Sequence, residues 1–140
     1  MVNQFPRVKE YMISPVFTLK NNATIYEAMD FLIKKRISAA PIVDGNNKLI
    51  GILSEKDCLR LMSKGIEHRL PSKEESVINF MTKDVATISP DTDIFFVAGV
   101  FLNNFYRRMP VVKDGKILGL VSRVDVLRGM RDYLRARGIS

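Results

Sequence analysis

Gly51-Ile52-Leu53-Ser54-Glu55-Lys56-Asp57 and Gly119-Leu120-Val121-Ser122-Arg123-Val124-Asp125 are one phrase, G-x-x-S-x-x-D, written twice 68 residues apart. In each copy a short β-prone apolar run meets a serine with an aspartate three positions on. Serine is a favoured helix N-cap and a carboxylate three residues later closes a box-like cap, so each phrase reads as a strand giving way to a helix. Working outward, Tyr11-Met12 recurs as Phe80-Met81, 69 residues on. At the same shift Val16-Phe17-Thr18-Leu19 matches Val85-Ala86-Thr87-Ile88, Ile25 matches Ile94, and Pro41-Ile42-Val43 matches Pro110-Val111-Val112. One deletion in a turn takes the shift from 69 to 68. Order and spacing hold across the whole unit, so the chain is one pattern repeated in tandem.

Each repeat reads strand, helix, strand, strand, helix. The short runs Val16 to Leu19 and Val85 to Ile88 open them. A helix begins at Thr24, with Glu27 completing a capping box, and buries Ile25, Ala28, Met29 and Leu32 on one face. Its counterpart begins at Asp93 and carries Ile94, Val97, Ala98 and Phe101. Strands over Ala40 to Asp44 and Leu49 to Leu53 flank the turn Asp44-Gly45-Asn46-Asn47. Those over Met109 to Lys113 and Ile117 to Val121 flank Asp114-Gly115, a two-residue hairpin signal. Closing helices run from about Glu55 to Lys64 and Arg123 to Arg135, with Gly65 and Gly138 as stops. The domain reading is residues 1–65 for the first repeat with its lead-in, 66–76 for a polar linker holding Pro71, and 77–140 for the second repeat with a basic C-terminal helix. A three-stranded sheet in one repeat cannot bury both its faces alone, whereas two repeats packed through their sheets can.

Hydrophobic residues at 46% and charged residues at 26% place the 140-residue chain among ordinary globular domains. No apolar run approaches the roughly 18 residues a membrane span needs, so no membrane role is expected. Met1-Val2-Asn3-Gln4-Phe5-Pro6-Arg7 lacks the apolar region of a secretory signal, and Cys58 is alone, so a cytoplasmic setting is expected. A net charge of +7 favours an anionic partner without choosing among nucleotide, nucleic acid and acidic protein. His68 stands in the linker with no ligand spacing around it and reads as solvated; Cys58 reads as a small core residue. There is no Ser/His/Asp set, no Cys–His pairing and no Gly-rich phosphate loop, so no enzyme activity is expected and no cofactor is required. Arg128, Arg131 and Arg135 make one face of the last helix basic, a solvated face first and an anionic docking face second.

In its repeated V-F-T-L, S-A-A-P-I-V and G-I-L-S-E-K-D segments, the chain resembles a tandem pair of cystathionine-β-synthase (CBS) domains, a Bateman module, over residues 8 to 130. The resemblance implies an α+β fold, two β-α-β-β-α CBS repeats packed sheet to sheet with pseudo-two-fold symmetry. It implies a regulatory module that binds AMP, ADP, ATP or a related adenosyl compound, without catalysis, and forms a homodimer.

The resemblance also implies two clefts that each mix the repeats. The main one would use Ser122 and Asp125 with Thr18, Ala23, Ile37 and Ser38, its phosphate lying near Arg107 and Arg108. The second would use Ser54, Lys56 and Asp57 with Thr87, Thr92, Tyr106 and Arg107. Ser38 and Ala39 stand where the paired arginines would be, so it is ranked below the first. Physically, a helix N-terminus suits phosphate, a serine hydroxyl can donate to it, and a carboxylate one turn on can accept from ribose hydroxyls. The competing reading of the same residues is capping alone. A structural homodimerisation module with unfilled clefts is one alternative function. A nucleic-acid-associated regulator using the positive charge is another, with no motif behind it. The regulated protein target is expected to be another chain, which the sequence does not identify.

Overall fold

The computed structural model describes residues 5–64 and 70–139. These contain four α-helices and two small sheets, an α+β chain. It divides into two compact units: a central unit, residues 17–85, and a terminal unit made of the stretch up to Val16 together with the chain from Ala86 onward.

In the central unit β1 (Leu19–Lys20) pairs parallel with β2 (Ala39–Val43), which pairs antiparallel with β3 (Leu49–Ser54). Helix α1 (Ile25–Lys35) starts where expected: Glu27 N–H donates to Thr24 Oγ1 at 3.1 Å and Thr24 N–H to Glu27 Oε1 at 3.0 Å. It stops at Arg36, which takes the left-handed conformation with φ 55°. Helix α2 (Glu55–Lys64) follows β3 directly. Its expected stop at Gly65 lies outside the described residues, as does His68.

The terminal unit holds α3 (Ile94–Leu102), capped by Asp93 at 2.9 Å from the Phe96 amide. The hairpin of β4 (Arg108–Lys113) and β5 (Lys116–Ser122) turns on Asp114 and Gly115, at φ 53° and 80°. Both φ values are positive, the geometry a two-residue hairpin requires and the reason Asp-Gly is found there. Helix α4 (Arg123–Ala136) ends before Gly138, whose φ of 75° lets its amide reach back to the Arg135 carbonyl at 3.0 Å.

The opening strands are shorter than the sequence suggests. Only Leu19 and Lys20 pair in one unit, and only Ile88, as a single bridge to Val111, in the other. The difference between them has a simple cause. Asn21 N–H donates to the Val43 carbonyl at 2.9 Å and carries the first ladder onward. Its equivalent is Pro90, which has no N–H to give.

The two cores correspond position by position. Leu19, Ile25, Ala28, Leu32, Ala40, Ile42, Leu53, Cys58 and Val77 form one; Ile88, Ile94, Val97, Phe101, Met109, Val111, Val121, Val126 and Val8 form the other. All but the last of each set follow their own repeat. Val8 lies in the second repeat's core and Val77 in the first's, because each repeat's opening segment docks on the other repeat's sheet. Ile13 and Leu120 exchange N–H···O bonds of 2.7 and 3.0 Å, and Thr82 and Ile52 exchange bonds of 2.8 and 2.9 Å. We call residues 6–13 the N-terminal strap. Each strap crosses a glycine: a Cβ at Gly119 would lie 2.8 Å from the Ile13 carbonyl oxygen, and one at Gly51 2.8 Å from that of Thr82.

That contact is with backbone, which cannot swing aside. Gly119→Ala and Gly51→Ala should each lose roughly 1–3 kcal/mol of stability, the usual cost of overpacking. Gly99→Ala, in α3 with nothing within 4 Å of the new carbon, should gain up to about 1 kcal/mol instead. Urea unfolding of the three variants checks both signs.

Candidate functional site

Each G-x-x-S-x-x-D phrase folds into the same junction. The strand ends at the serine and the helix begins one residue later, so serine and aspartate face each other across the first turn. Ser122 donates to Asp125 Oδ2 twice, from its amide at 2.8 Å and its hydroxyl at 2.9 Å. Asp125 N–H returns a bond to Ser122 Oγ at 3.3 Å. At Ser54 and Asp57 the corresponding distances are 2.9, 3.0 and 3.1 Å. Both carboxylates are buried, their side chains 7% and 8% exposed.

The capping reading of these residues is therefore realised. It also changes the expected role of the serine, because its hydroxyl proton is given to the aspartate, and a phosphate contact from Ser122 requires that O–H to turn away. Each carboxylate's second oxygen faces an arginine one turn on: Arg128 Nη2 lies 2.7 Å from Asp125 Oδ1, and Arg60 Nη1 lies 3.3 Å from Asp57 Oδ1. A carboxylate has about four acceptor positions, so three donors leave room for one more. The sequence reading missed Arg60 and read Arg128 only as part of a basic face. The signal was there, an Asp–Arg spacing of three that recurs 68 residues apart. Arg131 is likewise paired, with Asp132 at 3.1 Å, so the basic face of α4 is partly neutralised within its own helix.

The remaining expected site residues fall within the two units as follows. In the ladder of β4 and β5, Arg108 is the direct partner of Ser122, which puts an exposed arginine beside the capped helix start. Ala39 is the partner of Ser54, so the central unit has no such charge at that place. Exposed Arg107 precedes Arg108, with Tyr106 before it. Thr87 is exposed, and the half-buried Thr92 offers its carbonyl to the Val8 amide at 2.8 Å. In the central unit Thr18 is half-buried just ahead of β1. Ala23 is half-buried and accepts from the Val77 amide at 2.9 Å. Ile37 and Ser38 border a cavity of about 480 Å³ shared with Met29, Leu32, Arg36 and Cys58. The Ser38 carbonyl accepts from Glu55 N–H at 2.8 Å, tying that loop to the start of α2. Lys56 is exposed on the first turn of the same helix.

Cys58 is buried at the position Val126 holds in the other core, and burial, followed by the neighbouring Asp57 charge, pushes its thiol up. A raised thiol in an apolar place is a packing residue, not a nucleophile. Among the described residues no three or more His, Cys, Asp or Glu side chains are gathered for a metal, and no helix is long and apolar enough to cross a membrane.

The family profile of the CBS domain matches residues 8–64 and 76–132. The chain belongs to the CBS-domain family. A functionally uncharacterised protein of Methanocaldococcus jannaschii is 33% identical over 121 residues, which are 86% of this chain and 41% of that protein. The A-adding tRNA nucleotidyltransferase of Aquifex aeolicus is 28% identical over 128 residues, 91% of this chain and 15% of the enzyme. This chain thus spans less than half the length of either relative. Among solved structures, CBSX2 in complex with AMP superposes with a TM-score of 0.78 at 26% identity, covering 90% of this chain and 96% of that one. The CBS domain pair of protein MJ0100, in complex with 5′-methylthioadenosine and S-adenosyl-L-methionine, gives 0.74 at 28% identity over 92% and 98%.

Two further carboxylates hold the strap beside this site. Lys9 pairs with Asp91 at 2.8 Å, and the Tyr11 hydroxyl donates to Asp132 at 2.9 Å. Asp91 is held below the ordinary aspartate value first by the Lys9 hydrogen bond, and Asp132 first by the Tyr11 hydroxyl. Burial, followed by the Asp132 bond, raises Tyr11. A carboxylate lowered on folding stabilises above its unfolded value of about 4, and loses that contribution as pH falls through the lower folded value. The strap should therefore loosen below about pH 4 and stay docked through neutrality. Methyl NMR of Val8 and Met12 from pH 6 to 2.5 reports this. Asp132→Asn should flatten the acid response, and identical profiles for the two proteins would refute it.

Proposed function

We propose that the chain is a regulatory, non-catalytic module that binds an adenosine nucleotide of the AMP, ADP or ATP type in the cytoplasm. What carries the reading is the buried Asp125 carboxylate, held by three donors with acceptor capacity left, at a helix start directly beside Arg108. A ribose hydroxyl suits such a carboxylate, and a guanidinium suits a phosphate. The AMP complex of CBSX2 and the S-adenosyl-L-methionine complex of the MJ0100 pair support the ligand class.

Following the family resemblance, we assign the main site to Ser122, Asp125, Arg107 and Arg108 with Thr18, Ala23, Ile37 and Ser38. A second, weaker site is assigned to Ser54, Lys56 and Asp57 with Thr87, Thr92, Tyr106 and Arg107. The first ranks higher because Arg108 faces Ser122 whereas Ala39 faces Ser54. Lys56, exposed on the first turn of α2, adds a cation to the second site.

Calorimetry with AMP and with adenosine separates sugar from phosphate. Asp125→Asn should weaken both about tenfold or more, since a hydrogen bond to a charged group is worth roughly 1.5–3 kcal/mol. Arg108→Ala should weaken AMP and leave adenosine nearly unchanged. Asp57→Asn should do less than Asp125→Asn. Equal affinities in all variants and the parent would sink the assignment.

A homodimer forms the second part of the proposal. Ile33 and Leu59 are 74% and 68% exposed on α1 and α2, and their repeat equivalents Leu102 and Leu127 are 86% and 62% exposed on α3 and α4. Large apolar side chains exposed at matched positions favour a protein-covered patch on each unit. The same observation favours the scaffold alternative, dimerisation without ligand. Light scattering at tens of micromolar should give a dimer, and Leu59→Lys with Leu127→Lys should give a folded monomer. A monomeric parent would rule the dimer out.

A further inference from the structure

We propose that Arg128 is a positioning residue that couples the Asp125 carboxylate to the N-terminal strap, so that ligand capture at Asp125 and strap docking favour each other. The ligand half of this rests on the site assigned above; the coupling itself does not. One nitrogen of Arg128 serves both groups: Nη2 donates to Asp125 Oδ1 at 2.7 Å and to the Tyr11 carbonyl at 3.2 Å. A planar guanidinium holding two acceptors is fixed more firmly than one holding either, and it fixes them in turn.

The strap packs close to α4 at a glycine. Gly129 lies next to Arg128 on α4, and a Cβ there would stand 3.2 Å from the Tyr11 ring and 3.0 Å from Ile94. Glycine inside a helix is otherwise unfavourable, and here it is where both Ile94 of α3 and the strap's Tyr11 pack closely on α4. In the central unit the corresponding residue is Leu61, and Arg60 lies at the longer distance of 3.3 Å from Asp57. The device therefore belongs to the terminal unit, the one whose helix start also has Arg108 beside it.

The direction of the coupling follows from the donor count. Ser122 fixes Oδ2, and Arg128 fixes Oδ1 in the orientation that leaves its remaining lone pair open. When the strap leaves, Arg128 loses the Tyr11 carbonyl and the carboxylate loses its second restraint. A ligand that needs the carboxylate fixed then binds less well. By linkage, the same ligand holds the strap down.

Hydrogen exchange at the Ile13 and Leu120 amides, which pair strap to sheet, reads strap opening in the full chain. Without ligand, Arg128→Ala and Asp125→Asn should each speed exchange about 3- to 10-fold, the low end of allosteric couplings because Arg128 is partly exposed. The double variant should be no faster than the faster single. Fold-changes that multiply would overturn the coupling. So would an equal acceleration in Ser122→Ala, which frays the cap without removing either acceptor of Arg128. With AMP at saturation, the two amides should slow several-fold in the parent and in the charge-matched Arg135→Ala, but not in Arg128→Ala. Calorimetry on the same samples keeps two failures apart. AMP bound with exchange unchanged overturns the linkage alone. No binding heat in the parent overturns the ligand half together with the assigned site, while the ligand-free cycle still decides the coupling.

Discussion

Both strand-to-helix junctions depend on the reciprocal hydrogen bonds between a serine that ends a strand and an aspartate in the first turn of the helix after it. The bonds bring two polar groups together at a place where the chain leaves a sheet and its amides lose their strand partners. Without them the first turn of α4 would leave donors unsatisfied near a buried carboxylate, which is costly. With them the carboxylate is both buried and accounted for, and its outer oxygen is left facing an arginine. Three residues upstream, glycine keeps the strand's surface flat enough for a strap to cross it. Cap, glycine and strap thus form one joint, made twice.

The two joints are alike in their bonds and unlike in what surrounds them. Arg108 against Ala39 changes the charge beside the helix start, and Gly129 against Leu61 changes the side chain on the closing helix. Asn21 against Pro90 decides whether the opening strand continues its ladder. None of these differences falls in the core, where the nine matched positions of each apolar cluster are filled by apolar residues or cysteine. Volume moves between positions instead: Val97 and Met109 are larger than their counterparts Ala28 and Ala40, while Val111 and Val121 are smaller than Ile42 and Leu53. Duplication of this kind keeps the packing and leaves the rim free to diverge, which is where ligand chemistry would be tuned.

Much of the candidate site was legible in the residues themselves. Ser54, Asp57, Ser122 and Asp125 were readable because a helix cap is a local event, decided within four residues. Arg107 and Arg108 stood out because their counterparts in the other copy are Ser38 and Ala39. Arg60 and Arg128 were missed for a different reason. An Asp–Arg spacing of three on a helix is common and usually solvent-exposed, so it carries weight only when the aspartate is known to be buried. That knowledge is tertiary.

The sequence by itself determined the repeat, the order of its elements, the capped starts of α1, α3 and α4 and the two hairpin turns. Each of these follows from side-chain periodicity or from the conformational limits of Gly, Asp, Ser and Thr over a few residues. Only the tertiary structure decided that Val8 completes the core of the second repeat and Val77 that of the first. An apolar residue in a short segment states that it will be buried, not against which sheet. Choosing between the two sheets required the pairing of Ile13 with Leu120 across more than a hundred residues.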